Sequence, residues 1–353
     1  MIGKMKNYGR VGLNHQKEGM NTGINCEEDK MGKFNWGAHE INEGVVKLAG
    51  YGKFEDLESC QKYCKKIAKS NYENFIISNW FTPKEIKQHI QNIYAFCRYG
   101  DDLGDDAPFP PKERILLLNE WMDDLERGYG SKNDPWNGSP RHPIIKAVSH
   151  TAKEFKIPIT PFKRLIEAFK FDQEKTRYNN YKELKNYCIH SADPVGHLFL
   201  YIYGYKDEKL QLISDNTCTA LQLANHWQDV DRDLDQNRIY MPIEDMEQFG
   251  YSLEDYQNRI VNDEWRALMR FQVDRARKLF EKGSELWEMV DSRLVVDLRM
   301  FTMGGLAVLD SIEAQGYDTW SKRPKISKLK QFKMLMKSRK LWKEAHKKGK
   351  GMR

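Results

Sequence analysis

Two stretches decide how this chain folds. The first is Tyr94-Ala95-Phe96-Cys97-Arg98-Tyr99-Gly100-Asp101-Asp102-Leu103-Gly104-Asp105-Asp106, and the second is Gln222-Leu223-Ala224-Asn225-His226-Trp227-Gln228-Asp229-Val230-Asp231-Arg232-Asp233. Each starts on apolar or aromatic residues at helical spacing and ends in carboxylates. Asp101 and Asp105 are four apart, as are Asp229 and Asp233. On a helix such pairs share one face, with Cβ atoms about 5–6 Å apart. Like charges at that spacing destabilise a helix, and Asp is a mediocre helix former. One such cluster is ordinarily a solvated acidic face. Two of them, each running on from apolar helix, point to a cation that offsets the repulsion.

Mg²⁺ suits the arrangement, because it takes one or two carboxylates, keeps several waters and accepts phosphate oxygens. Two aspartate helices facing each other would hold ions between them, grip a diphosphate and neutralise the charge that develops as it leaves. A calcium loop is excluded. Asp229, Asp231, Asp233 and Asp235 imitate its odd positions, but Leu234 stands where a sharp turn needs Gly and Tyr240 where a bidentate Glu belongs.

Working outward, basic residues lie near both clusters. Arg98 precedes Asp101 by one turn, Lys175 and Arg177 lie in Phe171–Tyr178, and Arg238 follows the second cluster in Arg238-Ile239-Tyr240-Met241-Pro242. Arginine binds phosphate oxygens in a bidentate manner. Each of these is ordinarily a surface charge, and position favours Arg98 and Arg238.

The remaining pattern is helical. Helices are expected at about 56–70, 83–106, 111–128, 142–155, 161–176, 180–203, 207–236, 264–290, 293–315 and 326–346, with breaks at Pro83, Pro108–Pro111, Pro140–Pro143, Pro158 and Pro242. Pro194 inside a helical pattern should kink it. Few stretches alternate with period two, so a sheet is not expected. The reading is an all-α single domain over 54–324. Residues 1–53, with ten glycines, form an N-terminal extension that is mobile or loosely docked, and 325–353 form a basic amphipathic tail.

The net charge of +6 conceals an asymmetry. Residues 321–353 carry fourteen Lys/Arg and one acid, Glu344, leaving −7 for the rest of the chain. Ile326, Leu329, Phe332, Leu335 and Met336 recur at helical spacing among those lysines. That pattern suits an interfacial helix on an anionic membrane, or a packed last helix with a solvated basic face. Nucleic acid is not an expected partner, since the tail lacks a stacking pattern or a binding motif. No apolar run approaches the roughly 20 residues that span a bilayer, and the N-terminus lacks a signal-peptide core. The six cysteines form no CxxC pair, so a reducing, cytoplasmic setting is the simpler expectation, and Cys60 and Cys64 are read as packing residues.

With these residues assembled, the chain resembles the squalene and phytoene synthase family from about Phe54 to Pro324. Tyr94–Asp105 looks like the family's Y-x-x-C-R-x-x-D-D-x-x-D, and Gln222–Asp233 resembles its Q-x-x-N-x-x-x-D-x-x-x-D, with R-x-Y-x-P downstream. The resemblance implies an isoprenoid synthase fold with a central cavity and the aspartates at its mouth. It implies three Mg²⁺ ions held in part by Asp101, Asp105, Asp229 and Asp233, with Gln222 and Asn225 facing the substrate diphosphate. Tyr94, one turn before Arg98, joins the catalytic candidates. Phe75, Gln228 and Tyr240 join Arg98, Lys175, Arg177 and Arg238 as candidates for substrate contact.

The chain departs from the members that condense two prenyl diphosphates. Their H-x-x-S-F box is replaced by Asn71-Tyr72-Glu73-Asn74-Phe75, the arginine before their second motif by Gln228, and their V-A-G-x-V-G segment by Ser191-Ala192-Asp193-Pro194-Val195-Gly196, preceded by His190. These features resemble the bacterial hydroxysqualene synthase branch of hopanoid precursor synthesis. That branch ionises presqualene diphosphate, rearranges the cation and captures it with water. No NADPH would then be needed, and other enzymes of the squalene pathway become expected partners. Carbocation chemistry requires a dry, poorly nucleophilic pocket. Phe75, Phe96, Phe199, Tyr201, Leu221, Trp227, Met300 and Met303 are candidates to line it, though each is more readily read as ordinary core. Condensation of prenyl diphosphates, and a silent membrane-bound scaffold, are the alternatives. The intact aspartate pairs speak against the scaffold.

Overall fold

The computed structural model describes residues 40–42, 45–52, 54, 56–70, 82–131, 133–135, 138–327 and, within the tail, 333, 334, 336, 337 and 340. A short hairpin of β1 (Glu40–Asn42) and β2 (Val45–Lys47) leads into helices α1 (Leu57–Ser70), α2 (Lys84–Asp105) and α3 (Pro111–Tyr129). A minimal pairing of β3 (Gly130–Ser131) with β4 (Asp134–Pro135) follows. The chain then forms α4 (Pro143–Phe155), α5 (Thr160–Glu174), α6 (Tyr181–Ser191), α7 (Asp193–Ile202), α8 (Glu208–Gln228) and α9 (Val230–Asp235). Last come α10 (Ile243–Gln248), α11 (Leu253–Gln257), α12 (Asp263–Gly283), a 3₁₀ turn at Ser284–Glu288 and α13 (Ser292–Ala314). The architecture is all-α.

Two helices are central. From His89 to Leu103, α2 is buried on nearly every side, and α8 is likewise buried from Thr217 to Gln228. A helix hydrophobic all round belongs inside a large core rather than at its surface. One core cluster surrounds α2, with Phe96 against Trp121 and Phe162 at ring-centroid distances of 5.4 and 5.1 Å. The other surrounds α8 and α12, with Trp227, Trp265 and Phe280 buried. The C-terminal ends of α2 and α8 open on one cavity, which Asp101 and Asp229 both line.

Three expectations change. The helix expected over 180–203 is two helices that break at Ala192 (φ −122°, ψ −52°), with Pro194 in the first turn of α7. Gly196 explains why the second piece packs so closely. A Cβ there would lie 2.5 Å from both Cys218 Sγ and Ser214 Oγ on α8. The helix expected over 207–236 breaks at Asp229 (φ −108°, ψ 18°), which ends α8 and precedes α9. The strand pairings, though minimal, were not expected. Part of the N-terminal extension is also bolted down. Leu48 is buried, and Ala49 O accepts hydrogen bonds from Tyr99 Oη at 3.1 Å and His142 Nε2 at 2.6 Å. The helix expected at 326–346 lies mostly outside the described residues, as do Leu329, Phe332 and Leu335. Ile326 packs against the α8–α12 cluster and Met336 is exposed. Cys60, Cys64, Cys97, Cys188 and Cys218 are buried free thiols.

Candidate active site

The site starts with where the two central helices end. Asp101 and Asp105 sit in the last turns of α2, with no basic residue in its last turn, and Asp229 caps α8 at its C-terminus. A helix C-terminus carries about half a negative charge, and each carboxylate there is disfavoured by roughly 0.3–1 kcal/mol unless a cation answers it. Local backbone keeps the second motif in place despite the break at Asp229. Asp233 N donates to Asp229 O at 2.9 Å, so the two acids remain one turn apart.

Asp101, Asp229 and Asp233 line one open cavity, together with Asp172, Tyr187, Gln222, Asn225, His226 and Tyr240. Its apolar wall is Leu165, Ala168 and Phe169 on α5. Asp105 is held at the edge by Arg238, whose Nη2 donates to Oδ1 at 2.7 Å. That bond joins the first motif to the segment after the second. Backbone pairing carries Arg238 and Tyr240 there, since Ile239 N donates to Thr176 O at 2.9 Å and Ile243 N to Tyr178 O at 3.0 Å.

The acids are answered by arginines. Arg98 pairs with Asp101 at 3.4 Å and also with Asp102 and Asp106. Burial works against the charge on Arg98, yet Asp101 and Asp102 outweigh it and hold its pKa above the usual value. The same balance holds for Arg238, where Asp172, Tyr240 and Asp105 overcome burial. Burial lifts the Asp102 carboxyl to about 8 against the opposing pull of Arg98. Arg323 reaches Asp229 from beyond α13, with Nε to Oδ1 at 2.6 Å and Nη2 to Oδ2 at 3.0 Å.

The structure thus brings Asp101, Asp229, Asp233, Gln222, Asn225 and Tyr240 around one cavity, while Arg98 pairs with the lining Asp101 and Arg238 joins Asp105 to the lining Asp172. Other expected residues lie elsewhere. Tyr94 is buried on α2, where burial pushes its hydroxyl up to about 12, and it does not line the cavity. Lys175 pairs with Glu183 at 2.8 Å. Arg177 donates to Asn237 O at 2.6 Å and Oδ1 at 2.7 Å, steadying a residue with φ of 56°. Gln228 is buried and donates to Pro324 O at 2.7 Å. Phe75 and its Asn71–Phe75 box lie outside the described residues. Phe96, Leu221 and Trp227 are core, while Tyr201 is half-buried beside the first cluster and Met300 and Met303 lie half-buried on α13. Phe199 lines a second, small apolar cavity with Val195, Gly196, Leu298 and Phe301.

Sequence reasoning missed Asp172, Tyr187, His226 and Arg323. Asp172 accepts hydrogen bonds from Tyr187 Oη at 2.9 Å and Tyr240 Oη at 3.0 Å, and His226 stacks on Tyr240 with centroids 3.7 Å apart. His226 stood inside the second motif, and Asp172 beside Lys175. Arg323 carried no local signal.

Asp101 and Asp229 at the C-terminal ends of α2 and α8, with Asp233 on α9, present carboxylate oxygens to the cavity, a set that fits a hard divalent cation such as Mg²⁺. Comparison with known proteins agrees with this architecture. Residues 68–330 match the squalene/phytoene synthase family. The chain is 32% identical to phytoene synthase 2, chloroplastic, of Solanum lycopersicum over 78% of its length and 87% of that protein's. It is 30% identical to the 15-cis-phytoene synthase of Synechococcus elongatus, over 76% and 88%. Against phytoene synthase 1, chloroplastic, of Solanum lycopersicum, at 31% identity, it spans 66% of the relative's length. Among solved structures, the squalene synthase HpnC of Alicyclobacillus acidocaldarius superposes with a TM-score of 0.69 at 40% identity, covering 74% of this chain and 96% of that one. A dehydrosqualene synthase in complex with ligand gives 0.72 at 23% identity, covering 82% and 98%, which supports the shared isoprenoid synthase fold. The chain therefore belongs to the squalene/phytoene synthase family, enzymes that act on isoprenoid diphosphates.

Proposed function

We propose that this enzyme is a hydroxysqualene synthase that ionises presqualene diphosphate and captures the rearranged cation with water. The observation that carries this reading is at position 228. Gln228 is neutral, does not line the cavity and is held by Pro324 O and Arg323. The condensing members that this chain resembles carry an arginine there. The 40% identity to a squalene synthase supports chemistry of the squalene series.

In this reading Asp101, Asp105, Asp229 and Asp233 hold Mg²⁺, which supplies the positive charge that draws off the diphosphate. Gln222 and Asn225 face the diphosphate from α8, and Arg98 and Arg238 offer donors at the rim. The carbon–oxygen bond to diphosphate breaks and its electron pair leaves with the diphosphate. The cation rearranges, a water oxygen bonds to it, and the water's proton passes to solvent. The α5 wall of Leu165, Ala168 and Phe169 limits water at the site of ionisation. The enzyme would work in the cytoplasm, with its basic tail against an anionic membrane that stores the lipid substrate.

A second reading, head-to-head condensation of prenyl diphosphates, is favoured by the phytoene synthases among its relatives. One assay separates the two. Presqualene diphosphate with Mg²⁺ should give hydroxysqualene and diphosphate, and NADPH should change neither rate nor product. Farnesyl diphosphate alone should be a poor substrate. Efficient NADPH-dependent conversion of farnesyl diphosphate to squalene, or phytoene from geranylgeranyl diphosphate, would replace the first reading with the second.

A further inference from the structure

A second cluster of ligand-bearing side chains lies twelve residues before Asp101 on α2, roughly 18 Å along the helix. His89 on α2 meets His150 and Glu154 on α4, and one ligand atom from each lies within 4.8 Å of the others. His150 and Glu154 are one turn apart, so they share a face of α4.

The hydrogen bonds around His89 fix where its proton sits. Thr151 Oγ1 donates its only proton to Ala147 O at 3.1 Å. Its remaining capacity is acceptance. It accepts from Asn92 Nδ2 at 3.1 Å, an amide oriented by Gln88 Nε2 donating to Asn92 Oδ1 at 2.9 Å. With the hydroxyl proton placed on Ala147 O, the contact between Thr151 Oγ1 and His89 Nδ1, at 3.1 Å, carries the histidine's Nδ1 proton. The lone pair of neutral His89 is then on Nε2, 3.4 Å from Glu154 Oε2. Two acceptors facing each other repel unless a cation or a proton lies between them.

His150 completes the convergence. Its Nδ1 is buried, has no hydrogen-bond partner among the described residues and lies 3.8 Å from the same Glu154 oxygen. Ligands at 2.0–2.2 Å around a tetrahedral ion sit roughly 3.3–3.6 Å from one another. Small side-chain rotations would reach that spacing.

We infer that His89 Nε2, His150 Nδ1 and Glu154 Oε2 form a binding site for a divalent transition metal of the zinc class, separate from the aspartate site. Two imidazoles and one carboxylate suit zinc, whereas Mg²⁺ selects all-oxygen ligands. Thr151 acts on the metal through His89, fixing its tautomer and ring angle. The side chains of His150 and Glu154 are 40% and 49% exposed, so the fourth position opens to solvent. A bound ion would pin α2 to α4 at the end of α2 opposite the aspartates.

The test uses the full-length protein, stripped with chelator and titrated with Zn²⁺, and with Co²⁺ for its visible absorption, in millimolar Mg²⁺. One Zn²⁺ per chain should bind and raise the thermal midpoint. It should bind equally to the Asp101→Asn/Asp229→Asn protein, which separates this site from the aspartate site and from the proposed reaction. His150→Ala and Glu154→Gln, both at partly exposed positions, should fold and lose the Zn²⁺ and its thermal effect. Thr151→Val should weaken binding by about 10–100-fold. Absence of bound Zn²⁺ would overturn the inference and leave a protonated His89 paired with Glu154. Zn²⁺ binding unchanged in His150→Ala and Glu154→Gln would overturn it as well, placing the metal on other histidines.

Discussion

Arg323 grips Asp229 with two donors, Nε at 2.6 Å and Nη2 at 3.0 Å, and Nη2 also reaches Gln228 Oε1 at 2.9 Å. Arg323 lies 94 residues beyond Asp229 in the chain. Both oxygens of Asp229 are covered by it. A metal ion bound to Asp229 competes with this cation for the same carboxylate, so Arg323→Ala should lower the Mg²⁺ concentration for half-maximal activity roughly fivefold, the scale of a pair worth about 1 kcal/mol. Mg²⁺ titration of turnover checks this. An unchanged or higher Mg²⁺ requirement would count against competition between Arg323 and metal.

Metal dependence is expected from Asp101 and Asp105 in the last turns of α2, Asp229 at the end of α8 and Asp233 on α9. Chelator should abolish turnover and Mg²⁺ restore it. Asp101→Asn or Asp229→Asn should leave the helical circular dichroism unchanged and cut the rate by two or more orders of magnitude, as expected when several kcal/mol of charge stabilisation are lost. Near-full activity in the double variant would remove the two-helix metal site.

The aspartate motifs were legible because their information is local. Repulsion between i and i+4 carboxylates, and an apolar run before each pair, are written in a dozen residues. The break at Asp229 was not legible, since Asp229 holds α8 and α9 in near-continuous backbone bonding and only its φ and ψ reveal it. Lys175 and Arg177 looked like phosphate ligands by proximity in sequence. Lys175 meets Glu183 only because the chain turns from α5 into α6, and Arg177 meets Asn237 only where the chain after α5 reaches the chain after α9, neither of which spacing encodes. Arg323 was hidden for the same reason.

Gly196 offers a test of packing rather than chemistry. Its missing Cβ lets α7 approach Cys218 and Ser214 on α8, beside the apolar cavity. Gly196→Val should force the helices apart and cost about 1–3 kcal/mol. A lowered thermal midpoint would register it, whereas an unchanged midpoint would show that the two helices can part without cost.

His142 sets an acid-side limit on stability. Buried at the start of α4, it accepts from Ile144 N through Nδ1 at 3.2 Å and donates from Nε2 to Ala49 O at 2.6 Å. Burial drives its pKa down from 6.5 to about 3, with the Ala49 bond opposing. The folded state therefore stays neutral while the unfolded chain takes a proton. Its contribution is complete above pH 6.5 and declines as pH falls from 6.5 towards 3. His142→Asn, which keeps a capping oxygen, should lose up to one proton of linkage, giving a shallower fall in thermal midpoint between those pH values. An identical pH slope in variant and parent would show that His142 titrates normally.

The basic tail carries the last prediction. Arg323, Pro324 and Ile326 are tied to the helical body through Asp229, Gln228 and the α8–α12 cluster. A truncation that tests the tail alone must start after Ser327. Residues 328–353 hold eleven of the fourteen Lys/Arg after position 320. Near an anionic surface each contributes on the order of 1 kcal/mol, an attraction that fades within a Debye length. Deleting 328–353 should leave the fold intact and weaken cosedimentation with anionic vesicles, and rising salt should weaken the full-length protein's binding in the same way. Turnover of detergent-dispersed presqualene diphosphate should persist, because the aspartate site and Arg323 remain. Vesicle binding that survives the deletion would assign the tail to packing against the helical body, with its lysines facing water.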